Sequence, residues 1–287
     1  MQAVAPAAQR TEEDGDATMG DVDGALTSVH YGDRLSHSPD DSVFRCGFLN
    51  VNGLPRNKHK EKNTSLLRKL YNYNFHVIGL TEPNLHWPSL PSSHRWDERI
   101  HNVWESSHSS LAYNTTDHAP GEWQPGGCIQ LSIDRAAHRV ISSGRDPLGL
   151  GRWTWTRYRG RHDVTLRVIT AYRPCVQAMA GERTVHRQHE RFFNRIGDTR
   201  CPRTAMGEDL CRAISEWQES GDQIILMLDA NENVSTGSFH LSLHQLGLTE
   251  AISHRHHLLG GAPTHNRGSF PIDGSFTSLT LSISSGG

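Results

Sequence analysis

The sequence has little of what staples a small secreted domain together. Its five cysteines, Cys46, Cys128, Cys175, Cys201 and Cys211, are an odd set with no Cys-x-x-Cys pair. That argues against a disulfide framework and a thiolate zinc site, and a reducing, intracellular setting is the simpler reading. No apolar run approaches the ~20 residues of a membrane span, so no membrane partner is expected. The N-terminus lacks a basic start and an apolar core and does not read as a secretory signal. Lysine is scarce: all four lie between Lys58 and Lys69, and every other cation is Arg. This is either compositional bias or a use of the Arg fork, which matches phosphate geometry. Histidine is abundant, at 19, but His254, His256 and His257 lack the i, i+4 spacing that brings two imidazoles to one metal.

What is present divides by charge. Residues 1–41 hold nine acidic and two basic residues, a balance of −7, and read as a disordered acidic tail. The remaining 27 basic and 22 acidic residues leave a body at +5, which suits a polyanionic partner without proving one. At 287 residues the chain is long enough for one large domain, placed here at 42–287.

Apolar patterning predicts the elements. Strands are expected over 43–49, 76–80, 127–133, 164–172, 223–228 and 269–277, with Trp153, Trp155 and Tyr158 near another. Helices are expected over 64–71, 184–194, 207–217 and 239–246, the third with Leu210, Ile214 and Trp217 on one face. Strand–helix–strand order occurs twice, each time ending in an acidic residue, and implies a layered α/β domain.

Those acidic residues are the chemical signal. Glu82 follows His76-Val-Ile-Gly-Leu80-Thr, and Pro83 is expected to stop the strand and keep Glu82 extended. Asp229 follows Gln223-Ile-Ile-Leu-Met-Leu228 and leads into Ala230-Asn231. Side chains at the carboxyl ends of buried strands sit on the rim where α/β sites form. Two carboxylates converging there suit a hard cation such as Mg²⁺, with Mn²⁺ as the alternative. Taken singly, a Glu before Pro is ordinarily a loop residue and Asp-Ala-Asn ordinarily a turn or helix cap.

Three further motifs accompany them in order: Asn50-Val-Asn52-Gly-Leu54, Ile169-Thr-Ala-Tyr172-Arg-Pro174 and Ile272-Asp273-Gly. The ordered series resembles the endonuclease/exonuclease/phosphatase superfamily of apurinic-endonuclease- and deoxyribonuclease-I-like enzymes. Its wording is closest to the endonuclease domains of non-LTR retrotransposons, which lie upstream of a reverse transcriptase. The resemblance covers 44–287. It implies a four-layer αββα sandwich of class α/β (α+β) and Mg²⁺-dependent phosphodiester hydrolysis of nucleic acid, DNA above all. By position, Glu82 would be the principal metal ligand and Asn50 would contact metal or phosphate. Tyr172 would hydrogen-bond the scissile phosphate, Asp229 would activate the attacking water, Asn231 would orient a phosphate oxygen, and Asp273 would orient a catalytic His. Asn52 and His265 are candidates for contact with nucleic acid, as are Arg56, Lys58, Lys60 and Lys62, although a solvated loop is the favoured reading of those four. Trp153 and Trp155 form either a stacking surface or part of the core. Asn50 and Asn52 also fit a plain turn before Gly53, Tyr172 a half-buried strand aromatic, and Asp273-Gly274 a turn pair.

The family series closes on Ser-Asp-His, and this sequence reaches Gly287 without it. The resemblance therefore implies a sandwich without its last strand and an Asp273 without its imidazole, with weak or no turnover. A phosphatase or phosphodiesterase of the same fold, and a non-catalytic remnant, are the competing readings, since a fold alone does not choose among them. Nuclear action is implied by the resemblance only.

Overall fold

The computed structural model describes residues 33, 42–55, 60–91, 96–117, 121–176, 181, 183–257, 262–265 and 268–285. The acidic segment 1–41, except Asp33, and residues 56–59 of the basic stretch lie outside them. Asp33 pairs with Arg255 at 2.5 Å.

The first sheet contains β1 (Cys46–Asn50), β2 (Val77–Thr81), β3 (Ser107–Ala112) and β4 (Cys128–Ile133) in the order β1-β2-β4-β3. Only β1 and β2 run parallel, with Asn50 beside Thr81. The second sheet contains β5 (Val140–Arg145), β6 (Trp153–Arg159), β7 (Thr165–Tyr172), β8 (Asp222–Asp229), β9 (Leu248–Glu250) and β10 (Asp273–Ser278). Its order is β5-β6-β7-β8-β10-β9, and here β7 and β8 are the parallel pair.

Helices cover the two outer faces. Leu67 and Leu70 of α1 (Lys60–Asn72) join Trp96 and Ile100 of α2 (Trp96–His101) in a core with Ile78, Leu80, Ile129 and Leu131. On the far side, α3 (Val185–Ile196) precedes α4 (Pro202–Glu219), α5 (Ser238–Gln245) and α6 (Ala251–His256). Met206, Leu210 and Ile214 of α4 and Phe239 and Leu243 of α5 pack with Trp153, Ile169, Leu226 and Leu228. A third cluster, Val77, Tyr158, Val168 and Met227, lies between the sheets. The layers run helix, sheet, sheet, helix: the four-layer sandwich.

All six residues of β4 are buried, although the segment alternates apolar and polar. Its polar positions face the second sheet. The Gln130 amide donates to the Tyr158 hydroxyl at 3.4 Å and Gln130 Oε1 accepts from Thr170 Oγ1 at 3.0 Å, while Ser132 Oγ lies 2.7 Å from the same Tyr158 oxygen. Gly79 lets the sheets approach at this point: a Cβ there would stand 2.6 Å from Thr170 Oγ1 and 2.7 Å from Met227 Cε.

Several elements depart from expectation. Helix α4 begins five residues early, because Pro202 at its first turn carries no N–H to satisfy. The final strand begins at Asp273 instead of 269, because Ile272 and Pro271 give their carbonyls to the N–H groups of Ala230 and Val234 in the Asp229 loop. No helix among the described residues is long and apolar enough to cross a membrane.

Candidate metal and phosphate site

Parallel pairing in each sheet brings four chain ends to one rim. Asn50 ends β1 and Glu82 follows β2 by one residue. Tyr172 and Asp229 end β7 and β8 side by side, and Asp273 opens β10 directly opposite Asp229. Because the sheets stack, the two halves of the rim meet. Asn50 Nδ2 donates to Glu82 Oε1 at 3.2 Å and to Asp229 Oδ2 at 2.8 Å, so one amide joins carboxylates from both sheets. Its own Oδ1 accepts from the Asn52 N–H at 2.9 Å.

Glu82 is not extended. Its φ is 52°, in the left-handed region. The Glu82 N–H donates to the Gly127 carbonyl at 3.1 Å and its carbonyl accepts from the Gly53 N–H at 2.7 Å. These two tertiary bonds override the preference for an extended residue before proline. Asn52 and Asn231 also have positive φ, 42° and 48°. Strained backbone of this kind persists where the surroundings over-determine it, as at functional sites.

The rim is acidic and partly dry. Asp229 is 1% exposed. Burial, then the charges of Asp273 and Glu82, push its carboxyl up to about 8, against hydrogen bonds from Asn50 and the Asn231 N–H. Burial also raises Asp273, with Glu82 adding to it, while Thr264 and the charge of His265 pull it down. Thr264 Oγ1 accepts from the N–H groups of Ile272 and Asp273 at 3.0 and 3.1 Å, which sets exposed His265 beside this edge of the rim. Burial and the same carboxylates drive the Tyr172 phenol well above its usual range, so it stays protonated and can donate.

Sequence reasoning missed what holds Asn231. Its Nδ2 donates to the Arg173 carbonyl at 2.7 Å, and its Oδ1 accepts from the Cys175 thiol at 3.3 Å. Cys175 also lies 3.8 Å from the Tyr172 hydroxyl. Arg203, from the first turn of α4, donates to the carbonyls of Pro174 and Asn231, and Glu232 pairs with Arg173 at 2.5 Å. Glu232 was visible beside Asp229-Ala-Asn231 and Arg173 beside Tyr172. Arg203 carried no local signal.

All eight candidates therefore lie on or beside one rim: Asn50, Asn52, Glu82, Tyr172, Asp229, Asn231 and Asp273 with His265 at its edge. The aromatic candidates do not join them. Trp153 is core, and half-buried Trp155 is covered by the Arg167 guanidinium at 4.1 Å. The backbone of Lys60 and Lys62 opens α1.

The donor set fits a hard divalent cation. Two carboxylates meet at the Asn50 carboxamide, and Asp273 Oδ1 is buried with no hydrogen-bond partner among the described residues. No three His, Cys, Asp or Glu side chains among those residues form a complete cage. Mg²⁺ does not ask for one, since it is held by one or two carboxylates and keeps several waters.

No family model and no curated protein sequence matches the chain. Solved structures do. The human Nocturnin catalytic domain with bound sulfate anion aligns at a TM-score of 0.55 and 13% identity, over 82% of each chain. The Xenopus laevis APE2 catalytic domain aligns at 0.54 and 12%, again over 82% of each. The 3'-5' exonuclease (NExo) from Neisseria meningitidis aligns at 0.51 and 15%, over 82% of this chain and 87% of that one. The chain thus shares the four-layer fold of these three structures.

Proposed function

We propose that this chain is a divalent-metal-dependent phosphodiesterase acting on nucleic acid, DNA in particular, of the kind that retrotransposons encode. The observation that carries the reading is the Asn50 amide joining Glu82 and Asp229 across the two sheets. A polar cluster this acidic, with no guanidinium paired to Glu82, Asp229 or Asp273 among the described residues, is stabilised by a cation and poorly stabilised without one.

In this reading Glu82 would hold Mg²⁺, or Mn²⁺ in its place, together with Asn50, whose carboxamide would turn its oxygen from the Asn52 N–H to the ion. When bound, the cation neutralises phosphate charge and acidifies water. Asp229, buried at the strand end and protonated in the metal-free chain, would be ionised beside a bound cation and would then accept the proton of the attacking water. Tyr172 donates its phenol hydrogen to a non-bridging phosphate oxygen. Asn231 offers its second amide hydrogen to the same group, held at a fixed angle by the Arg173 carbonyl. Donors fixed before reaction in a partly dry site do more for a developing charge than mobile water does. Asn52 and His265 line the approach of the strand.

Plasmid nicking tests this. Supercoiled DNA should be nicked in Mg²⁺, not in EDTA, and Glu82→Gln and Asp229→Asn should each lower the rate by about 10²-fold or more. Equal nicking by Glu82→Gln would reject the assignment. Hydrolysis of a phosphate monoester without any cleavage of DNA would transfer the site to the phosphatase reading.

A further inference from the structure

At the opposite end of the sandwich lies a cleft of about 230 Å³ whose chemistry the rim does not use. Leu166 lines it, and Tyr172 of the rim lies six positions further along the same strand, so roughly 20 Å separates the two places at ~3.3 Å per residue. Phe44, Val164, Leu166 and Leu281 give the cleft apolar walls. Arg135, Arg139, Arg159 and Arg161 also line it, and among the described residues no Asp or Glu contributes to the lining.

Arg139, Arg159 and Arg161 put like charge around one apolar cleft and call for an anion. Among the described residues no carboxylate pairs with Arg139, Arg159 or Arg161. His76, in the cleft wall, reports the local field. Its Nδ1 accepts from the Arg45 N–H at 2.8 Å, and Arg135 Nε approaches its Nε2 at 3.0 Å. Burial, then the charges of Arg135, Arg45 and Arg139, lower its pKa to about 4, so at neutral pH it adds no charge and the field belongs to the arginines.

We propose that this cleft is a binding site for a small phosphate monoester with an apolar or aromatic body. The arginine forks suit a phosphate dianion, which accepts paired N–H bonds. The walls suit an apolar group. The volume exceeds the ~150 Å³ that accommodates a benzene ring in a dry cavity, leaving room for a ring and the start of its phosphate. Most ligand pockets share this build, an apolar cleft with a few convergent polar groups. The site is independent of the chemistry assigned to the rim.

Phenyl phosphate is the probe, titrated calorimetrically into the full chain in EDTA. The expected result is saturable binding, with inorganic phosphate and phenol each weaker by about tenfold or more. The double variant Arg139→Gln/Arg161→Gln should weaken phenyl phosphate by about tenfold or more, since charge-assisted bonds are lost. Glu82→Gln should bind as the parent does. Val164→Asp puts a carboxylate at an exposed position of the mouth and should abolish binding in a protein whose circular dichroism is unchanged. Absence of binding at millimolar phenyl phosphate would overturn the proposal. So would binding lost in Glu82→Gln and retained in Val164→Asp, which would place the ligand at the rim. Inorganic phosphate binding as tightly as phenyl phosphate would remove the apolar body from the assignment.

Discussion

Asn50 does at the residue scale what no carboxylate could: it stands between Glu82 and Asp229 and donates to both. An Asp there would add a fourth charge to a rim that already pushes Asp229 up to about 8. That shift carries a sign. The folded chain keeps a proton on Asp229 that the unfolded chain releases within the ordinary carboxylate range. The stabilisation is complete below that range and is lost as pH rises from there through about 8. The metal-free protein should therefore melt at a lower temperature at about pH 8.5 than at about pH 5, and Asp229→Asn should flatten this dependence. Parallel melting curves for the parent and Asp229→Asn across that window would show that burial and the neighbouring carboxylates do not raise Asp229.

Elements explain why some of this was legible in the sequence and some was not. Glu82 and Asp229 could be found because each ends an apolar run, and a strand's end is fixed by where its burial stops. The left-handed turn at Glu82 could not be found, since its cause is a pair of bonds to Gly53 and Gly127, one of them 45 residues away. Strands β3 and β5 read as Ser-His-Ser-Ser-Leu-Ala and Val-Ile-Ser-Ser-Gly-Arg, half-exposed segments without enough apolar signal to stand out. Arg203 and Cys175 matter through distance in space alone. The same holds for Arg152, which is 0% exposed and bonded to Asp146 at 2.7 Å and to Asp209 at 2.8 Å. This pair ties the start of β6 to α4, behind the rim. Asp146→Ala should cost about 3 kcal/mol in urea denaturation, because it leaves a buried guanidinium with Asp209 as its one carboxylate partner. A loss under about 1 kcal/mol would mean that Asp209 and water replace Asp146 fully.

For the whole molecule, charge and fold point the same way. The body at +5 suits a polyanion while its rim is acidic, an arrangement that suits a bound cation between protein and phosphate. Binding of duplex DNA in Mg²⁺ should weaken steeply as salt rises from about 50 to 200 mM, as read by fluorescence anisotropy. Flat salt dependence would remove nucleic acid as the partner. The central claim is narrower, that Glu82 and its neighbours on the rim hold a divalent cation. Mn²⁺ titration followed by electron paramagnetic resonance measures that without reference to turnover. The account predicts saturable loss of the free Mn²⁺ signal in the parent chain, displaced by Mg²⁺ and largely abolished in Glu82→Gln; undiminished Mn²⁺ binding by Glu82→Gln would contradict it.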